Sequence, residues 1–264
     1  MKVPIYQVDA FAPALFRGNP AAVCPLDHWL PDETLQAIAA ENNLAETAYY
    51  VPAGPGRYRL RWFTPEVEVD LCGHATVATS EVIFNIRKEQ AGNRVMFETL
   101  SGDLPVEREG DLYALNFPAH PPQKGSINAG LPEALGAPPR ESYTGRIYLC
   151  VYESEAQVLA LKPDMARVAK LDKFAVIATA QGSDCDFVSR FFAPAKGIPE
   201  DPVTGSAHST LVPYWSQRLG KRSLFARQVS KRGGELWCED LGNRVKMAGR
   251  AVPYLEGSIQ IPNG

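Results

Sequence analysis

Alternating apolar and charged residues predict that β-strands form most of this chain. Over 57–62 three apolar residues alternate with three arginines, which is the two-residue period of a strand with one buried face. Over 66–71 three apolar residues, among them Val67 and Leu71, alternate with three carboxylates. Between turns that contain Gly or Asp, further strands are predicted over 95–99, 104–107, 112–117, 147–152, 157–161, 175–179 and 187–192.

Three segments carry the pattern of helices. Residues 31–42 are amphipathic, with Leu35, Ile38 and Ala39 on one side. The other two, Gly73–Ile86 and Gly205–Leu219, are apolar around most of their circumference, which is typical of buried helices. We expect each of these two to run through the middle of a curved sheet. Pro213 lies inside the second one and should kink it.

The proline-rich stretch Pro118–Pro122 (PAHPP) predicts a boundary between two domains, because prolines cannot continue a central strand. After it, the pattern of strands around one buried helix begins again. The two buried helices also follow similar sequences, DLCGHA at 70–75 and DPVTGSA at 201–207. We therefore predict an internal duplication. Residues 1–118 form one domain, to which a C-terminal strand near 252–264 returns, and residues 119–251 form a second domain of the same build.

Composition excludes several classes of function. The 27 Lys and Arg against 30 Asp and Glu leave a net charge of −3, which does not favour nucleic acid or an acidic membrane as partner. The chain shows no signal peptide and no membrane-spanning run. Five scattered cysteines without a CxxC pair argue against a disulfide framework and a zinc site, and suit the cytoplasm. Flavin, nicotinamide and phosphate-loop motifs are missing as well, so we predict neither a cofactor nor a metal.

The starts of the two buried helices are candidate anion sites. Gly73 and Gly205 each allow a sharp turn into a helix whose first N–H groups lack intrahelical partners. Those donors and the helix dipole attract negative charge. If the two halves pack face to face, both helix ends point into one cleft and a substrate carboxylate would fit there. Most helix N-termini, however, are capped and bind nothing.

His74 and Ser206 directly follow the two glycines. His74 could exchange a proton with a bound ligand near neutral pH, and Ser206 could bind an anion or merely cap its helix. A Ser/His/Asp hydrolase is rejected, because Ser206 lacks a G-x-S-x-G elbow and His208 points to another helix face. We predict that His208 is a structural histidine with satisfied hydrogen bonds.

Glu46 stands between the amphipathic helix and the apolar run 48–51. Desolvation in such a stretch suits a carboxylate to take a proton and return it. A surface glutamate at the start of a strand is the more common case for this pattern. Cys72 raises a different possibility, since two-base racemases and epimerases place a thiol beside each helix start. Thr204 stands where the second thiol would be needed, so Cys72 could simply be a small core residue.

Four motifs in order resemble the PhzF family of phenazine biosynthesis, and the resemblance covers essentially the whole chain. They are GNPAAV at 18–23, NLAETA at 43–48, LCGHAT at 71–76 and DPVTGSAH at 201–208. The second half, with GSAH at 205–208, YWSQ at 214–217 and RGGEL at 232–236, is especially similar to the MAWD-binding-protein branch of that family.

The resemblance implies the diaminopimelate-epimerase-like α+β fold, in which two similar domains each wrap a curved, mainly antiparallel sheet around a central helix, with the active site between them. It also implies a homodimer. In the PhzF enzyme, which isomerises a dihydro-hydroxyanthranilate, a glutamate of the N-L-x-E-T motif moves a proton between ring carbons, and Glu46 matches it. His74 matches the histidine of C-G-H-A. Asp201 and Ser206 match the aspartate and serine of D-P-x-T-G-S.

These matches predict an isomerase that needs no cofactor and acts on a small anionic metabolite. Glu46, His74 and Asp201 are the predicted acid–base residues, while Gly73, Gly205, Ser206 and Ala207 bind the substrate carboxylate. One base working on one face favours isomerisation over inversion. Two alternatives stay open: an epimerase or dehydratase, and a binding or scaffold protein that keeps the fold but has lost turnover.

Overall fold

Strands dominate the secondary structure, as the alternation predicts. The computed structural model describes residues 1–261. In chain order its strands are β1 (Lys2–Ala10), β2 (Asn19–Pro25), β3 (Glu46–Gly54), β4 (Arg57–Phe63), β5 (Glu68–Val69), β6 (Arg94–Thr99), β7 (Gly102–Glu109), β8 (Leu112–Pro118), β9 (Glu141–Tyr143), β10 (Tyr148–Val151), β11 (Val176–Gln181), β12 (Phe187–Ala193), β13 (Ile198–Asp201), β14 (Ser223–Gln228), β15 (Gly234–Asp240), β16 (Arg244–Gly249) and β17 (Ala251–Gln260).

The helices are few, and two of them stand out by their burial. They are α1 (Asp32–Asn42), α2 (Gly73–Glu81), α3 (Leu131–Leu135), α4 (Glu155–Ala160), α5 (Met165–Val168) and α6 (Gly205–Leu219). A π-helical turn, Val82–Ile86, continues α2, and a 3-10 turn, Pro194–Lys196, precedes β13. Among residues 1–261, no helix has both the length and the apolar character needed to cross a bilayer.

The chain divides into two units. Unit 1 comprises Met1–Asn116 together with the C-terminal segment from Ala248, and unit 2 comprises Phe117–Met247. The C-terminal segment belongs to unit 1 because β17 pairs antiparallel with β1, from Ala10 opposite Ala251 to Lys2 opposite Gln260. The strand predicted near 252–264 coincides with β17 as far as Gln260, and its last three residues lie outside the described ones.

In unit 1 one curved sheet runs in the order β17, β1, β2, β3, β4, β6, β7, β8. The pairs β2–β3 and β4–β6 are parallel, whereas the other neighbours are antiparallel. Short β5 pairs antiparallel with β4 just before α2 begins. The helix α2 packs against β1, β2, β3 and β17, and every residue from His74 to Glu81 is buried.

Unit 2 repeats this topology. Its sheet runs β9, β10, β11, β12, β14, β15, with β10–β11 and β12–β14 parallel and the rest antiparallel. Short β13 pairs antiparallel with β12 just before α6, as β5 does with β4 before α2. In both units a strand, a short antiparallel partner, a buried helix and a parallel strand follow in the same order. The predicted α+β class is confirmed, and the matching order of elements is the pattern expected from the predicted internal duplication.

Two predictions of local structure are wrong. Residues 157–160 form the end of α4 rather than a strand, and Leu161 follows the helix, because Ser154 accepts a hydrogen bond from the Gln157 N–H and starts a helix. The alternation over 66–71 shrinks to the two-residue β5. Val67 is 57% exposed and Leu71 is 41% exposed, so the apolar residues of this segment do not form a buried face.

Pro213 has a structural consequence for the start of unit 2. A proline has no N–H, so the carbonyl oxygen four residues earlier in the helix loses its usual donor. That oxygen, on Ser209, instead accepts a hydrogen bond of 2.8 Å from the His120 N–H. The helix runs on through Pro213 to Leu219. Pro213 thus frees a carbonyl oxygen on α6, and the proline-rich segment after β8 binds to the helix by a hydrogen bond to that oxygen.

Candidate active site

Three side chains from the predicted motifs converge in unit 1. Glu46 is the first residue of β3, Cys72 is the residue before α2, and His74 is the second residue of α2. His74 Nε2 lies 3.0 Å from Glu46 Oε2, while His74 Nδ1 lies 3.5 Å from Cys72 Sγ. The two edges of one imidazole ring therefore face a carboxylate and a thiol.

The facing atoms of Glu46 and His74 are buried but incompletely satisfied. The side chains are only 12% and 7% exposed, respectively, so Glu46 is not the surface residue that its sequence pattern allows. Despite their separation of 3.0 Å, Glu46 Oε2 and His74 Nε2 are not aligned for a hydrogen bond and have no other partner. Buried polar atoms without partners are rare. Here they place a proton donor and a proton acceptor side by side without an aligned hydrogen bond.

The charges at this site favour a protonated His74. Burial by itself lowers the pKa of His74, but its neighbours Cys72 and Glu46 raise it well above its ordinary value. Burial, and then the charge of Glu46, raises the pKa of the Cys72 thiol. Because this thiol is neutral near pH 7, the Glu46 carboxylate is the charge that keeps His74 protonated. The pair can then hold a proton on His74 while Glu46 is ready to accept another.

A metal ion would require this cluster to rearrange. One ligand atom each from Glu46, Cys72 and His74 lie within 4.8 Å of one another, and the set offers oxygen, sulfur and nitrogen donors that zinc accepts. However, the sulfur faces Nδ1 whereas the carboxylate faces Nε2. A metal ion binds one imidazole nitrogen at a time, so all three residues fit one ion only if the ring or its neighbours move.

The predicted residues of unit 2 surround the start of α6. Gly205 and Ala207 are buried and Ser206 is exposed. The hydroxyl of its N-cap residue, Thr204, accepts no hydrogen bond from the first turn of the helix. The Thr204 hydroxyl instead donates to the Asp201 carboxylate. Each unit thus presents the N-terminus of a largely buried helix, the kind of position that attracts an anion.

Gln228, at the end of β14, positions the segment that carries Asp201. Its Oε1 accepts from the Thr204 N–H at 2.9 Å, and its Nε2 donates to the Asp201 carbonyl oxygen at 2.8 Å and to Thr204 Oγ1 at 3.1 Å. A second clamp is the two-pronged ion pair of Arg190 with Glu200, at 2.7 and 2.9 Å. Asp201 is therefore held through its own carbonyl oxygen and through its neighbour Glu200.

Replacing Gln228 by glutamate is expected to lower the free energy of unfolding by about 1–3 kcal/mol. The introduced carboxylate still accepts from the Thr204 N–H. It has no N–H to donate to the Asp201 carbonyl oxygen, and its negative charge repels that oxygen. Amide hydrogen exchange of residues 201–206 should accelerate in the same variant. The matched control is Ser189→Ala, since Ser189 lies opposite Gln228 in the sheet and its buried hydroxyl makes no hydrogen bond. Equal effects of the two changes would contradict this role.

The structure brings some predicted residues together and adds others. Glu46 and His74 meet in unit 1, and Asp201, Gly205, Ser206 and Ala207 surround one helix start in unit 2. His208 is only half satisfied: Nδ1 lies 2.9 Å from the Thr204 carbonyl oxygen, but Nε2 has no partner. Asn19, whose Nδ2 lies 3.3 Å from His74 Nδ1, and Gln228 were assigned no role from sequence. A polar residue at the edge of a buried strand, as in the GNPAAV motif, is the signal that marks Asn19.

Comparisons with known proteins agree with the motifs. A relative from Pseudomonas aeruginosa, named an uncharacterised isomerase, is 52% identical over 261 residues, which is 99% of this chain and 100% of the relative. The crystal structure of a phenazine biosynthesis protein of the PhzF family from Enterococcus faecalis has a TM-score of 0.96 and 46% identity, and the match covers 99% of this chain and 100% of that one.

More distant structures share the fold alone. A hydroxyproline epimerase from Agrobacterium vitis matches with a TM-score of 0.64 at 12% identity, over 98% of this chain and 92% of that one. The diaminopimelate-epimerase-like fold implied by the sequence motifs is thereby confirmed. The family profile described as phenazine biosynthesis-like protein matches residues 8–257, nearly the whole chain. This protein therefore belongs to the phenazine biosynthesis-like, or PhzC/PhzF, family.

Proposed function

We propose that this protein is an isomerase that moves a proton between atoms of a small carboxylate-bearing metabolite without a cofactor. The observation that carries the proposal is the buried Glu46–His74 pair, whose facing atoms are 3.0 Å apart and make no aligned hydrogen bond. A carboxylate and an imidazole in this arrangement supply a proton acceptor and a proton donor side by side. The relatives named isomerases agree with this class of reaction.

The chemistry that we assign to the residues is as follows. Glu46 removes a proton from a substrate carbon and returns it to another atom on the same face. His74, held protonated by Glu46, stabilises negative charge that develops on the substrate. The start of α2 at Gly73 offers backbone N–H groups to a carboxylate.

The residues of unit 2 have a similar part in the proposal. The start of α6, with Gly205, Ser206 and Ala207, is a second anion-binding element of the same build. Asp201 accepts a hydrogen bond from the Thr204 hydroxyl, and we assign it proton exchange with a substrate heteroatom. The homodimer and the cytoplasmic location implied by the sequence stay predictions.

An experiment in heavy water tests the proposal without a guess at the substrate. The protein is incubated with an extract of small metabolites in deuterium oxide, and mass spectrometry identifies compounds that gain carbon-bound deuterium. We expect incorporation with the natural protein and none with Glu46→Gln. Equal incorporation by both would remove Glu46 from the central role. If neither protein gave incorporation, a catalytically idle binding protein of the same fold would be favoured instead.

A further inference from the structure

Asn19 is a buried polar side chain held at a defined place beside His74. It begins β2 directly after Gly18, which has a φ of +68°. A Cβ added at Gly18 would lie 2.2 Å from the Ala10 carbonyl oxygen, so only glycine fits this turn. The turn therefore sets where β2 starts and brings Asn19 Nδ2 to 3.3 Å from His74 Nδ1.

An amide suits this nitrogen in both protonation states of the ring. In a neutral imidazole with its proton on Nε2, Nδ1 is an acceptor and the Asn19 amide N–H donates to it. In the charged ring Nδ1–H is a donor and needs an acceptor. A half-turn of the Asn19 amide replaces its NH₂ group by its carbonyl oxygen in nearly the same space. Cys72 Sγ, 3.5 Å from Nδ1, is a weaker partner in either role.

We propose that Asn19 is a positioning residue for His74, whose amide donates to Nδ1 when the ring is neutral and, turned over, accepts from Nδ1–H when the ring is charged. The inference rests on the proposed function in one respect, since that function needs a protonated His74 held in place to stabilise negative charge on the substrate. In this arrangement the proton that distinguishes the two states sits on Nδ1, against Asn19, while Nε2 keeps its proton in both states. That nitrogen is the one that faces Glu46.

The other titratable groups that face His74 do not duplicate this role. Glu46, from the start of β3, acts at Nε2 and not at Nδ1. Cys72, from the residue before α2, faces Nδ1, but burial raises the pKa of its thiol and keeps it neutral. Asn19 is therefore the strong hydrogen-bonding partner at Nδ1.

The natural protein provides the first test. Its histidines are labelled with ¹⁵N, and long-range proton–nitrogen correlation spectra distinguish the two neutral tautomers and the charged ring. The signals of His74 are assigned by their loss in His74→Gln. At a pH above its pKa, we expect His74 to carry its proton on Nε2 and to have a bare Nδ1. A neutral ring protonated on Nδ1 would overturn the proposal.

Two substitutions should move the titration of His74 in opposite directions. Asn19→Asp can only accept at Nδ1, so it should stabilise the charged ring and raise the titration midpoint by about one pH unit. Asn19→Leu has a similar size but no polar group, so the charged ring loses its acceptor and the midpoint should fall by about one pH unit. Midpoints unchanged from the natural protein in both variants would overturn the proposal.

Controls distinguish a change at His74 from misfolding of the variant and from failure of the proposed reaction. The signals of His208, which is buried in unit 2, should be the same in every folded variant. Asn93→Asp adds the same charge as Asn19→Asp at an exposed position of unit 1 and should leave the His74 midpoint unchanged. If the spectra behave as expected but no deuterium is incorporated in heavy water, the role of Asn19 stands and the proposed reaction fails. Deuterium incorporation together with spectra that contradict the expectation would support the proposed reaction and overturn the role of Asn19.

Discussion

Replacing Glu46 by glutamine is expected to lower the rate of proton exchange at the substrate carbon by about 10²–10⁴-fold, the usual contribution of a positioned acid–base group. Glutamine has nearly the same shape and keeps a carbonyl oxygen near His74, but it cannot accept and return a proton. The loss should therefore appear in kcat much more than in KM. The measurement is the initial rate of deuterium incorporation into the compound identified in heavy water.

The same substitution should also act on His74. The Glu46 carboxylate helps to raise the pKa of His74, so its removal should lower the titration midpoint of that ring. This second readout shows that the substitution alters the site in the intended way even when activity is lost. A change in kcat without any change in His74 would contradict the coupling of the two residues.

Two further variants serve as controls for Glu46. Glu41→Gln removes an exposed carboxylate from the nearby helix α1 and should leave the rate unchanged. Cys72→Ser tests the epimerase alternative, in which a thiolate is the base. Because burial raises the pKa of the Cys72 thiol, we expect serine to reduce the rate by less than about tenfold. A loss with Cys72→Ser as large as that with Glu46→Gln would favour a thiol-based mechanism.

Lowering the pH from 7 to 4 is expected to reduce the free energy of unfolding by about 3 kcal/mol through His208 alone. Burial lowers the pKa of His208 from 6.5 to about 4. As the pH falls through 6.5, the unfolded chain binds a proton at this residue, whereas the folded protein does not until about pH 4. The stabilisation is therefore complete above pH 6.5 and is lost as the pH falls to 4.

Urea unfolding at several pH values measures this effect. Trp215 reports on the same region, since its ring stacks on Phe187, which also contacts the ring of His208. His208→Gln should be less stable near neutral pH because it disturbs a packed core position, but its stability should depend less steeply on pH between 7 and 4. His120→Gln, a change at an exposed histidine of the same unit, should leave the dependence unaltered. The same slope in the natural protein and in His208→Gln would refute the assignment.

Local patterns in the sequence determined much of the fold. The alternation over 57–62 predicts β4, whose apolar residues are buried. The unbroken apolar character of 73–86 and 205–219 predicts two buried helices, because a helix without a polar face has no side to turn toward water. The repeated sequence before those helices predicts an internal duplication, and the strands of the two units pair in the same order. Errors occurred where a local signal competed with the pattern, as when the Ser154 cap made 157–160 helical.

Only the tertiary structure decided what the candidate site residues contact. Glu46 and His74 belong to separate motifs, and their separation of 3.0 Å results from the parallel pairing of β2 with β3 and from the packing of α2 against both. The roles of Asn19 and Gln228 arise in the same way, from strands that bring an amide group to a distant partner. A sequence pattern records which face of an element is buried, whereas the partner across that face depends on how the strands are ordered. For this reason the sequence alone determined the elements and the family of this protein, while the three-dimensional arrangement determined which side chains can exchange a proton.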